Sequence, residues 1–344
     1  PVAPDPRCDL AASSPELGVA PAGVIPREGG GSGDRIFLMS AQNDAAVAAR
    51  FQRLAATPLE AVAGMYPFSP DGVYRSVRAI AGQREMLGLL VKRDLKSKYK
   101  DTALGFLWSL LRPLVQLLIY FVVLGQFLGA ARGIPDFAIY IFTGLTAMGL
   151  FTEIAVGGTG SILANAGLVK KVYLPREVFP LASVGSALFN FSIQLCILIV
   201  ATFVAGHPPF HSQILMAIPA LAIILVYGLA FALCFGALNV YLRDMQYLVE
   251  VFTMLLFWAS PVVYSWQMVQ DLVQNPVLLE VYTNNPLTLA IIGFQEAFWV
   301  AGESMAQPDD LLVRMLIALV IGFGLLLGSH RVFLRLQGNF AQEL

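Results

Sequence analysis

Residues 84–128 place a basic helix directly before an apolar segment that is long enough to cross a membrane. In the first half, apolar residues recur at every fourth position and therefore share one helical face. They are Leu87, Val91, Leu95 and Tyr99. Lysines recur at the same interval on the neighbouring flank, namely Lys92, Lys96 and Lys100. The pattern is typical of a helix lying in a membrane surface with its lysines toward anionic headgroups. A basic linker before the span is the alternative.

The apolar runs that follow predict an all-α integral membrane protein. Hydrophobic residues make up 57% of the 344 residues and charged residues 13%, whereas a soluble domain carries about 25% charged residues. The runs are continuous, which argues against the alternating pattern of a membrane barrel. A helix crosses a bilayer with about 20 residues. The six predicted spans are 104–128, 137–157, 178–204, 213–239, 249–265 and 311–330.

The distribution of Lys and Arg predicts the orientation of these spans. Of the 22 such residues, 15 fall on one side of the membrane, in residues 75–112, 170–176, 243 and 331–335. The other side carries only Arg132 and Arg314. Because positively charged loops stay on the cytoplasmic side, both termini are predicted to be cytoplasmic.

The rest of the chain divides into segments around the spans. Residues 1–70 are predicted to be a largely disordered N-terminal extension, since residues 1–38 hold six Pro and six Gly without periodicity. Met39 is the first methionine, so residues 1–38 are expected to be an added leader or an over-long start assignment. The surface helix lies in residues 71–103, the six-span domain in residues 104–330, and a cytoplasmic tail in residues 331–344.

One segment between the last two spans, residues 265–310, contains no Lys or Arg and is still apolar. The piece after Pro286 is too short to span a bilayer and too apolar for free solvent. A structureless loop of this length is uncommon in a compact domain. The segment is therefore predicted to form one or two short helices that dip into the outer leaflet or cap an opening.

No pattern in the chain predicts catalysis, a metal site or nucleotide binding. His207 and His211 flank a Pro-Pro turn, so they do not share a helical face. Cys8, Cys196 and Cys234 lack metal-ligand spacing, and no GxxxxGK[ST] loop occurs. The net charge of −1 gives no general attraction to nucleic acid. We therefore predict no cofactor in this chain and no enzymatic activity of the chain by itself.

Polar and aromatic residues within the spans are the candidates for a transport path. Arg112 is the one charge of the first span, and snorkelling to the headgroups is its alternative. Glu153 requires a partner or water, whereas Asn190 and Gln194 share a face and also suit interhelical packing. The remaining channel or gate candidates are Trp108, Tyr120, Phe121, Phe257, Trp258, Tyr264 and Asn285. Lipid contact is the alternative for most of the aromatic residues.

The loop between the second and third spans predicts a docking segment for a partner protein. It places apolar residues between charges, in the order Lys170, Lys171, Val172, Tyr173, Leu174, Pro175, Arg176 and Glu177. A short amphipathic helix at the cytoplasmic face would insert its apolar side in a partner's cleft, and its charges would fix the register. An ordinary interfacial loop is the alternative.

Five motifs in the same order resemble those of type-2 ATP-binding-cassette export permeases that move cell-surface polysaccharides. They are YKDTALGFLWSLLRPL from Tyr99, KKVYLPREVFPLA from Lys170, NVYLRDMQYL from Asn239, SPVVY from Ser260 and NPL from Asn285. The resemblance covers about residues 80–340. The chain departs from the family pattern after NPL, where relatives often carry a basic residue and this chain has Phe294-Gln295-Glu296.

The resemblance implies a homodimer of six-span subunits in a bacterial cytoplasmic membrane, docked on two copies of a separate ATPase that binds ATP and Mg²⁺. It implies that residues 170–177 form the coupling helix and that residues 265–310 form two gate helices. Lys92, Lys96, Lys98, Lys100 and Arg112 would face lipid headgroups. The implied substrate is a glycan on undecaprenyl or decaprenyl diphosphate, of the galactan, O-antigen or teichoic acid type.

Three other function classes compete with this reading. An integral-membrane transferase would need paired acids or a His-Asp set at the interface, and the sequence contains neither. A secondary transporter would show inverted repeats, and neither half of the chain visibly repeats the other. A drug or lipid exporter of the same fold is the alternative that the sequence leaves open.

Overall fold

The computed structural model describes residues 82–99, 107–127, 129–171, 174–302 and 305–344. Predictions on residues 1–70, on Lys100, and on Val172 and Tyr173 lie outside these ranges. The described residues all belong to one compact unit that begins at Ala61, and within them the regular structure is entirely helical. The predicted all-α membrane class is therefore confirmed.

Twelve α-helices make up the described part of the chain. They are α1 (Arg84–Tyr99), α2 (Leu107–Tyr120), α3 (Phe137–Ala164), α4 (Ala166–Lys171), α5 (Val178–Val204), α6 (Ala217–Tyr241), α7 (Met245–Trp258), α8 (Trp266–Leu272), α9 (Pro276–Thr283), α10 (Pro286–Phe298), α11 (Leu311–Leu336) and α12 (Phe340–Glu343). Helix α2 continues as a π-helix over Phe121–Phe127, and short 3₁₀ turns occupy Ala130–Arg132, Ser212–Met216, Val300–Gly302 and Gln337–Asn339.

Five helical segments of the described chain are long and apolar enough to cross a membrane. They are Leu107–Phe127, Phe137–Ala164, Val178–Val204, Ser212–Tyr241 and Leu311–Asn339. The bent pair α9 and α10, with 72° between the two helices, raises this number to six if the pair is taken as one broken span. We refer below to Leu107–Phe127 as the first span.

The predicted fifth crossing, 249–265, differs from the helix found there. Helix α7 has 14 residues, about 21 Å of axis, which is shorter than a hydrocarbon core of about 30 Å. It ends at Trp258 because Pro261 lacks a backbone N–H and clashes with the carbonyl four residues back. The turn that follows buries Ser260 and Val262 completely. Irregular backbone at membrane depth is tolerated where protein surrounds it in this way.

Helix α3 is the centre of the bundle, and small residues allow its neighbours to approach. It packs against α5, α6, α7 and α10. A Cβ added at Gly158 would lie 2.3 Å from the Ala232 Cβ of α6, and one added at Gly144 would lie 3.1 Å from the Val262 backbone. Close backbone approach through small residues is the usual basis of helix association in membranes.

The bundle has two buried apolar clusters, a small one at one end and a large one along the rest of the central helices. The cluster at what we call the basic end joins α1, α4, α6, α11 and α12 through Leu90, Val169, Val240, Phe333 and Phe340. The larger cluster joins α3, α6, α10 and the turn after α7. The sequence grouped four cations on this side: Lys170 and Lys171 lie on α4, Arg335 lies on α11, and Arg243 lies in the turn between α6 and α7.

Three short helices, one more than predicted, occupy the segment between α7 and α11 at the opposite end. Each begins at a polar N-cap whose side chain accepts a backbone N–H two or three residues on, and the caps are Ser265, Asn275 and Asn285. The extra helix arises because Asn275-Pro276 provides a cap followed by a proline at the first helical position. Helix α10 is almost fully buried, whereas α9 exposes Val277 and Val281.

Candidate functional site

A cavity of about 1010 Å³ opens between the first span, α3, α5 and α7. Its volume is more than twice that of the pocket beside α9, which is about 420 Å³. Its position follows from the loose packing of the first span, in which no residue of the most apolar 18-residue window is buried. The cavity has one aromatic wall and one polar wall.

The aromatic wall is formed by side chains of the first span and of α7. Trp108 and Tyr120 come from the first span, and Phe257 and Trp258 come from α7. The rings of Tyr120 and Phe257 lie 6.0 Å apart between centroids, and Phe257 meets Trp258 edge-on at 5.3 Å. Trp108 and Trp258 remain about half exposed. Their faces are therefore available to a ligand in the cavity.

The polar wall is formed by α3 and α5. Thr152 and Glu153 of α3 lie beside Asn190 and Gln194 of α5, one turn apart on the same helical face. Gln116 adds an amide from the first span. The amides and the hydroxyl of this wall offer both donors and acceptors, whereas the facing wall offers flat apolar surfaces. The arrangement suits a ligand that has hydroxyl groups and apolar C–H faces.

Glu153 holds two partners from different helices. The Lys98 ammonium at the end of α1 lies 2.6 Å from Glu153 Oε1, and Asn190 Nδ2 donates to the same oxygen. The side chains of Lys98 and Glu153 are 45% and 30% exposed. The pair therefore joins three helices at the wall of the cavity and remains accessible from it.

Two further charged groups line the cavity. Arg112 of the first span is exposed, and no carboxylate of the described ranges lies within ion-pair distance of it. Glu250 of α7 accepts a hydrogen bond from Gln246 Nε2 at 3.1 Å. Sequence reasoning did not select Glu250, although this residue lies inside the predicted span 249–265. Its signal was present, since Glu250 is the one charged residue of α7.

The structure brings seven of the predicted site residues together and leaves others elsewhere. Those that line the cavity are Lys98, Trp108, Arg112, Tyr120, Glu153, Phe257 and Trp258. Phe121 packs against the large apolar cluster, and Lys92 and Lys96 are on α1 outside the cavity lining. Asn285 caps α10, and its role as a gate residue stays a prediction.

Tyr264 belongs to a buried polar cluster at the opposite end. The Tyr140 hydroxyl lies 2.6 Å from the Tyr264 carbonyl oxygen and 3.0 Å from that of Pro261. Gln295 Nε2 of α10 donates to the same Pro261 oxygen at 2.8 Å. These contacts satisfy the carbonyls that the turn after α7 leaves without helical partners. They tie the turn and α10 to the central helix.

The predicted docking segment lies at the basic end, partly exposed and partly held by the last helices. Lys170 and Lys171 are exposed. The Arg176 guanidinium lies 5.6 Å from the centroid of the buried Phe340 ring. Glu177 is only 3% exposed, with Oε1 3.7 Å from His330 Nε2 of α11. The two lysines are therefore the free charges of the segment, whereas Arg176 and Glu177 anchor it to the bundle.

No cluster of three or more His, Cys, Asp or Glu side chains suited to a metal ion occurs among the residues that the structure describes. His207 and His211 point to different partners. His207 Nδ1 lies 2.7 Å from Asp136 Oδ2, and His211 Nε2 lies 3.0 Å from the Glu296 carbonyl oxygen.

Known proteins resemble most of the chain. The family model described as ABC-2 type transporter matches residues 85–299. O-antigen export system permease protein RfbA of Myxococcus xanthus is 30% identical over 257 residues, 75% of this chain and 96% of the relative. RfbA of Klebsiella pneumoniae is 28% identical over 261 residues, 76% of this chain and 95% of the relative. Polysialic acid transport protein KpsM of Escherichia coli is 23% identical over 188 residues, which are 53% of this chain and 70% of the relative. The match to the family model includes every helix that lines the cavity.

Proposed function

Since the chain belongs to the ABC-2 type transporter family, in which it is a permease subunit and not an enzyme, we propose that it exports a polysaccharide linked to a polyprenyl diphosphate. The relatives named for O-antigen export and polysialic acid transport support the polysaccharide. The single observation that carries the proposal is the cavity, with its aromatic wall, its polar wall and its two cations, Lys98 and Arg112.

The two walls of the cavity match the two kinds of surface on a sugar ring. The C–H faces of a pyranose stack on indole and phenol rings such as Trp108, Trp258 and Tyr120, and its hydroxyls pair with Asn190 and Gln194. Each of these contacts is weak and exchangeable. A chain that slides through a channel needs many such contacts and no strong one.

The cations match the charged end of the lipid carrier. A diphosphate presents several acceptor oxygens, and charge-assisted hydrogen bonds to them are about twice as strong as neutral ones. Arg112 is open to the cavity, and Lys98 is accessible beside it on the same lining. Lys100 joins this group as a prediction from the sequence. The glycan is then of the galactan, O-antigen or teichoic acid type.

A second copy of the chain completes the site in this proposal. The first span leaves Leu114, Leu118 and Ile119 exposed, and α7 leaves Leu248 and Leu255 exposed. These two elements frame the open side of the cavity. Lipid tails against its polar wall would place amides and charged groups in hydrocarbon, which is costly in a membrane. A homodimer that joins the two cavities removes that cost.

A separate ATPase supplies the energy in this proposal, binding ATP and Mg²⁺ itself. The exposed Lys170 and Lys171, on a segment anchored at Arg176 and Glu177, support a contact with it at the basic end. Helix α1 would form a second contact. The basic end then faces the cytoplasm of a bacterium, and both termini are cytoplasmic.

Substitution of Arg112 tests the substrate assignment. The chain and its ATPase partner are reconstituted in vesicles, and ATP-dependent export of the lipid-linked glycan is measured. Loss of a charged hydrogen bond of about 1.5–3 kcal/mol predicts about tenfold weaker loading or more in Arg112→Ala. Arg132→Ala removes an exposed charge outside the cavity lining and serves as the control. Full export by Arg112→Ala would remove this residue from the site.

Charge reversal of the two exposed lysines tests the docking segment. Lys170→Glu with Lys171→Glu should weaken co-purification of the ATPase and abolish its stimulation, because both side chains face solvent and do not hold the fold. Glu177→Gln is the less informative variant, since its buried side chain also affects stability. Normal export by the double variant would contradict the coupling role.

A drug or lipid exporter of the same fold is the alternative. It predicts ATPase stimulation by apolar compounds without a diphosphate, together with full activity when the polar residues Asn190 and Gln194 are replaced by leucine. The proposed function predicts the opposite result for both measurements.

A further inference from the structure

Lys98 is the residue through which α1 reaches the cavity. Among the described residues of this helix it alone lines the cavity, and its ammonium meets Glu153 Oε1 of α3 at 2.6 Å. The middle of α1 packs elsewhere, with Val91 against Gly185 of α5, where an added Cβ would lie 2.7 Å from the valine. The ion pair therefore joins the last turn of α1 to the central helix, beside the hydrogen bond that Arg93 Nη2 donates to Asn165 Oδ1 at the C-cap of α3.

The pair is built to be exchanged and not to be permanent. Both side chains are substantially exposed, at 45% and 30%. Ion pairs at this exposure are weak, and the equilibrium constant favours the paired over the separated state by about fivefold or less. Glu153 also keeps the hydrogen bond from Asn190 Nδ2 when Lys98 leaves. Separation therefore does not strand a carboxylate without a donor.

On the basis of the proposed function, we propose that Glu153 is the resting partner of Lys98 and that the anionic headgroup of the substrate lipid replaces it. The phosphate oxygens take the Lys98 ammonium and the Arg112 guanidinium, and Glu153 retains Asn190. Loading thereby separates Lys98 from α3, whereas Arg93 keeps its hydrogen bond to Asn165 at the C-cap of α3. No covalent bond changes in this exchange.

The carboxylate has a reason to be present in an anion site. A site with only Lys98 and Arg112 would hold a diphosphate tightly and release it slowly. Glu153 competes for the same ammonium from within the protein, so it lowers the affinity and lets the headgroup leave. It also neutralises Lys98 in the empty state, where anionic lipids of the inner leaflet would otherwise be attracted.

Binding to the full-length chain, without any partner, tests the exchange. The chain is placed in nanodiscs of neutral phosphatidylcholine and titrated with undecaprenyl diphosphate as the probe. Glu153→Gln should bind about three to five times more tightly, because the internal competitor is removed. Lys98→Gln should bind about ten times more weakly. Glu85→Gln, which removes an exposed carboxylate from the first turn of α1, should bind as the wild type does.

A charge swap separates this role from a structural one. Lys98→Glu with Glu153→Lys restores the ion pair, so the thermal midpoint should return to that of the wild type, whereas the binding stays weak because α1 now presents a carboxylate. The proposal would be overturned if the swapped variant bound the probe with wild-type affinity. It would also be overturned if Glu153→Gln bound the probe no more tightly than Glu85→Gln does. If Glu153→Gln does not fold, unchanged binding by Lys98→Gln overturns it.

Two further probes identify the source of the anion. Competition by undecaprenyl diphosphate but not by soluble pyrophosphate supports a lipid headgroup, whereas equal competition by pyrophosphate overturns the lipid assignment. Phosphatidylglycerol should compete at least about ten times more weakly, since it offers a single charge. If Glu153→Gln binds the probe more tightly and Lys98→Gln more weakly than the wild type, but the wild type exports no glycan, only the proposed function is overturned. If the wild type exports the glycan normally but the variants do not follow this order of affinity, only the proposed exchange is overturned.

Discussion

The first span and α3 are both apolar enough to cross a membrane, yet their surroundings are opposite. The first span is the more apolar of the two by mean hydropathy, yet none of its most apolar window is buried, against 78% of the corresponding window of α3. Helix α3 carries Gly157 and Gly158 at contacts with α5 and α6 and Gly144 at the turn after α7, whereas the first span presents Leu118 and Ile119 outward. In a membrane, small residues and close approach distinguish a central helix from a peripheral one, and hydropathy does not.

The difference has a functional meaning in this protein. A helix that is fully packed provides a fixed wall, and α3 contributes Thr152 and Glu153 to the cavity from such a position. A helix with few contacts is free to move or to receive a partner, and the first span contributes Trp108, Arg112 and Tyr120. The cavity therefore lies between a fixed wall and a wall that a second subunit is proposed to complete.

The largest effect is expected from closing the tightest contact of α3. Gly158→Val adds a side chain where a Cβ already lies 2.3 Å from the Ala232 Cβ and 3.0 Å from its Cα, so α3 and α6 must separate. We expect a loss of about 3 kcal/mol or more and little folded protein. Gly324→Val is the matched control on α11, where an added Cβ meets nothing within 4 Å. Size-exclusion profiles and thermal midpoints measure both.

A smaller effect is expected from truncating one buried aliphatic side chain. Ile154→Ala in α3, at 0% exposure, should lower the free energy of unfolding by about 2 kcal/mol, the low end for core truncations. The loss is small because the side chain contacts lipid tails, and not water, in the unfolded state. Leu118→Ala in the first span, 60% exposed, should cost less than about 0.5 kcal/mol. Equal costs, measured together with the oligomeric state, would show that a partner buries Leu118 under those conditions.

The polar cluster around Pro261 comes next. Tyr140→Phe removes a hydroxyl that contacts two carbonyl oxygens, and membrane hydrogen bonds average about 0.6 kcal/mol with a maximum of about 1.7. We expect a loss of about 1 kcal/mol in thermal unfolding. Tyr227→Phe removes a hydroxyl with one contact, to the Ala318 oxygen at 3.0 Å, and should cost about half as much. The reverse order would contradict the view that the cluster holds the turn after α7.

The smallest effect is expected at the periphery of the opposite end. Arg314 of α11 binds both carboxylate oxygens of Glu280 on α9, at 2.6 Å and 3.0 Å. Glu280 is more than half exposed, so solvent and salt screen the pair. Glu280→Gln should lower the thermal midpoint less than Tyr140→Phe does, and 1 M salt should remove the difference from the wild type. A larger shift that salt does not change would assign α9 to the stable core.

Particular residues show how far the sequence could predict the site. Trp108, Arg112 and Glu153 were selected because polar and aromatic residues inside spans are unusual, and they line one cavity. Tyr264 was selected by the same rule and lies in the buried cluster with Tyr140. These residues differ in the direction in which their side chains point. That direction cannot be predicted for a helix that is apolar all round, because such a helix has no polar face.

The fifth span and the docking segment show the same limit of prediction from the sequence. Pro261 was visible in the sequence, but the helix end at Trp258 depends on burial of the turn that follows. Arg176 and Glu177 were predicted to belong to the docking segment. Within the chain they contact Phe340 and His330, whereas Lys170 and Lys171 are exposed, and the coupling role stays a prediction. No local pattern indicates that helix ends more than 150 residues apart meet at the basic end.

The sequence by itself determined that this chain is a helical membrane protein, that its cations gather at one end, and that its motifs are those of export permeases. These properties depend on composition and on neighbours in the chain. The tertiary structure decided which span is central, which residues share the cavity, and that Lys98 meets Glu153 across 55 residues of sequence. Such pairings arise from the packing of whole helices, because lipid and protein interior are equally apolar and only contact geometry distinguishes them.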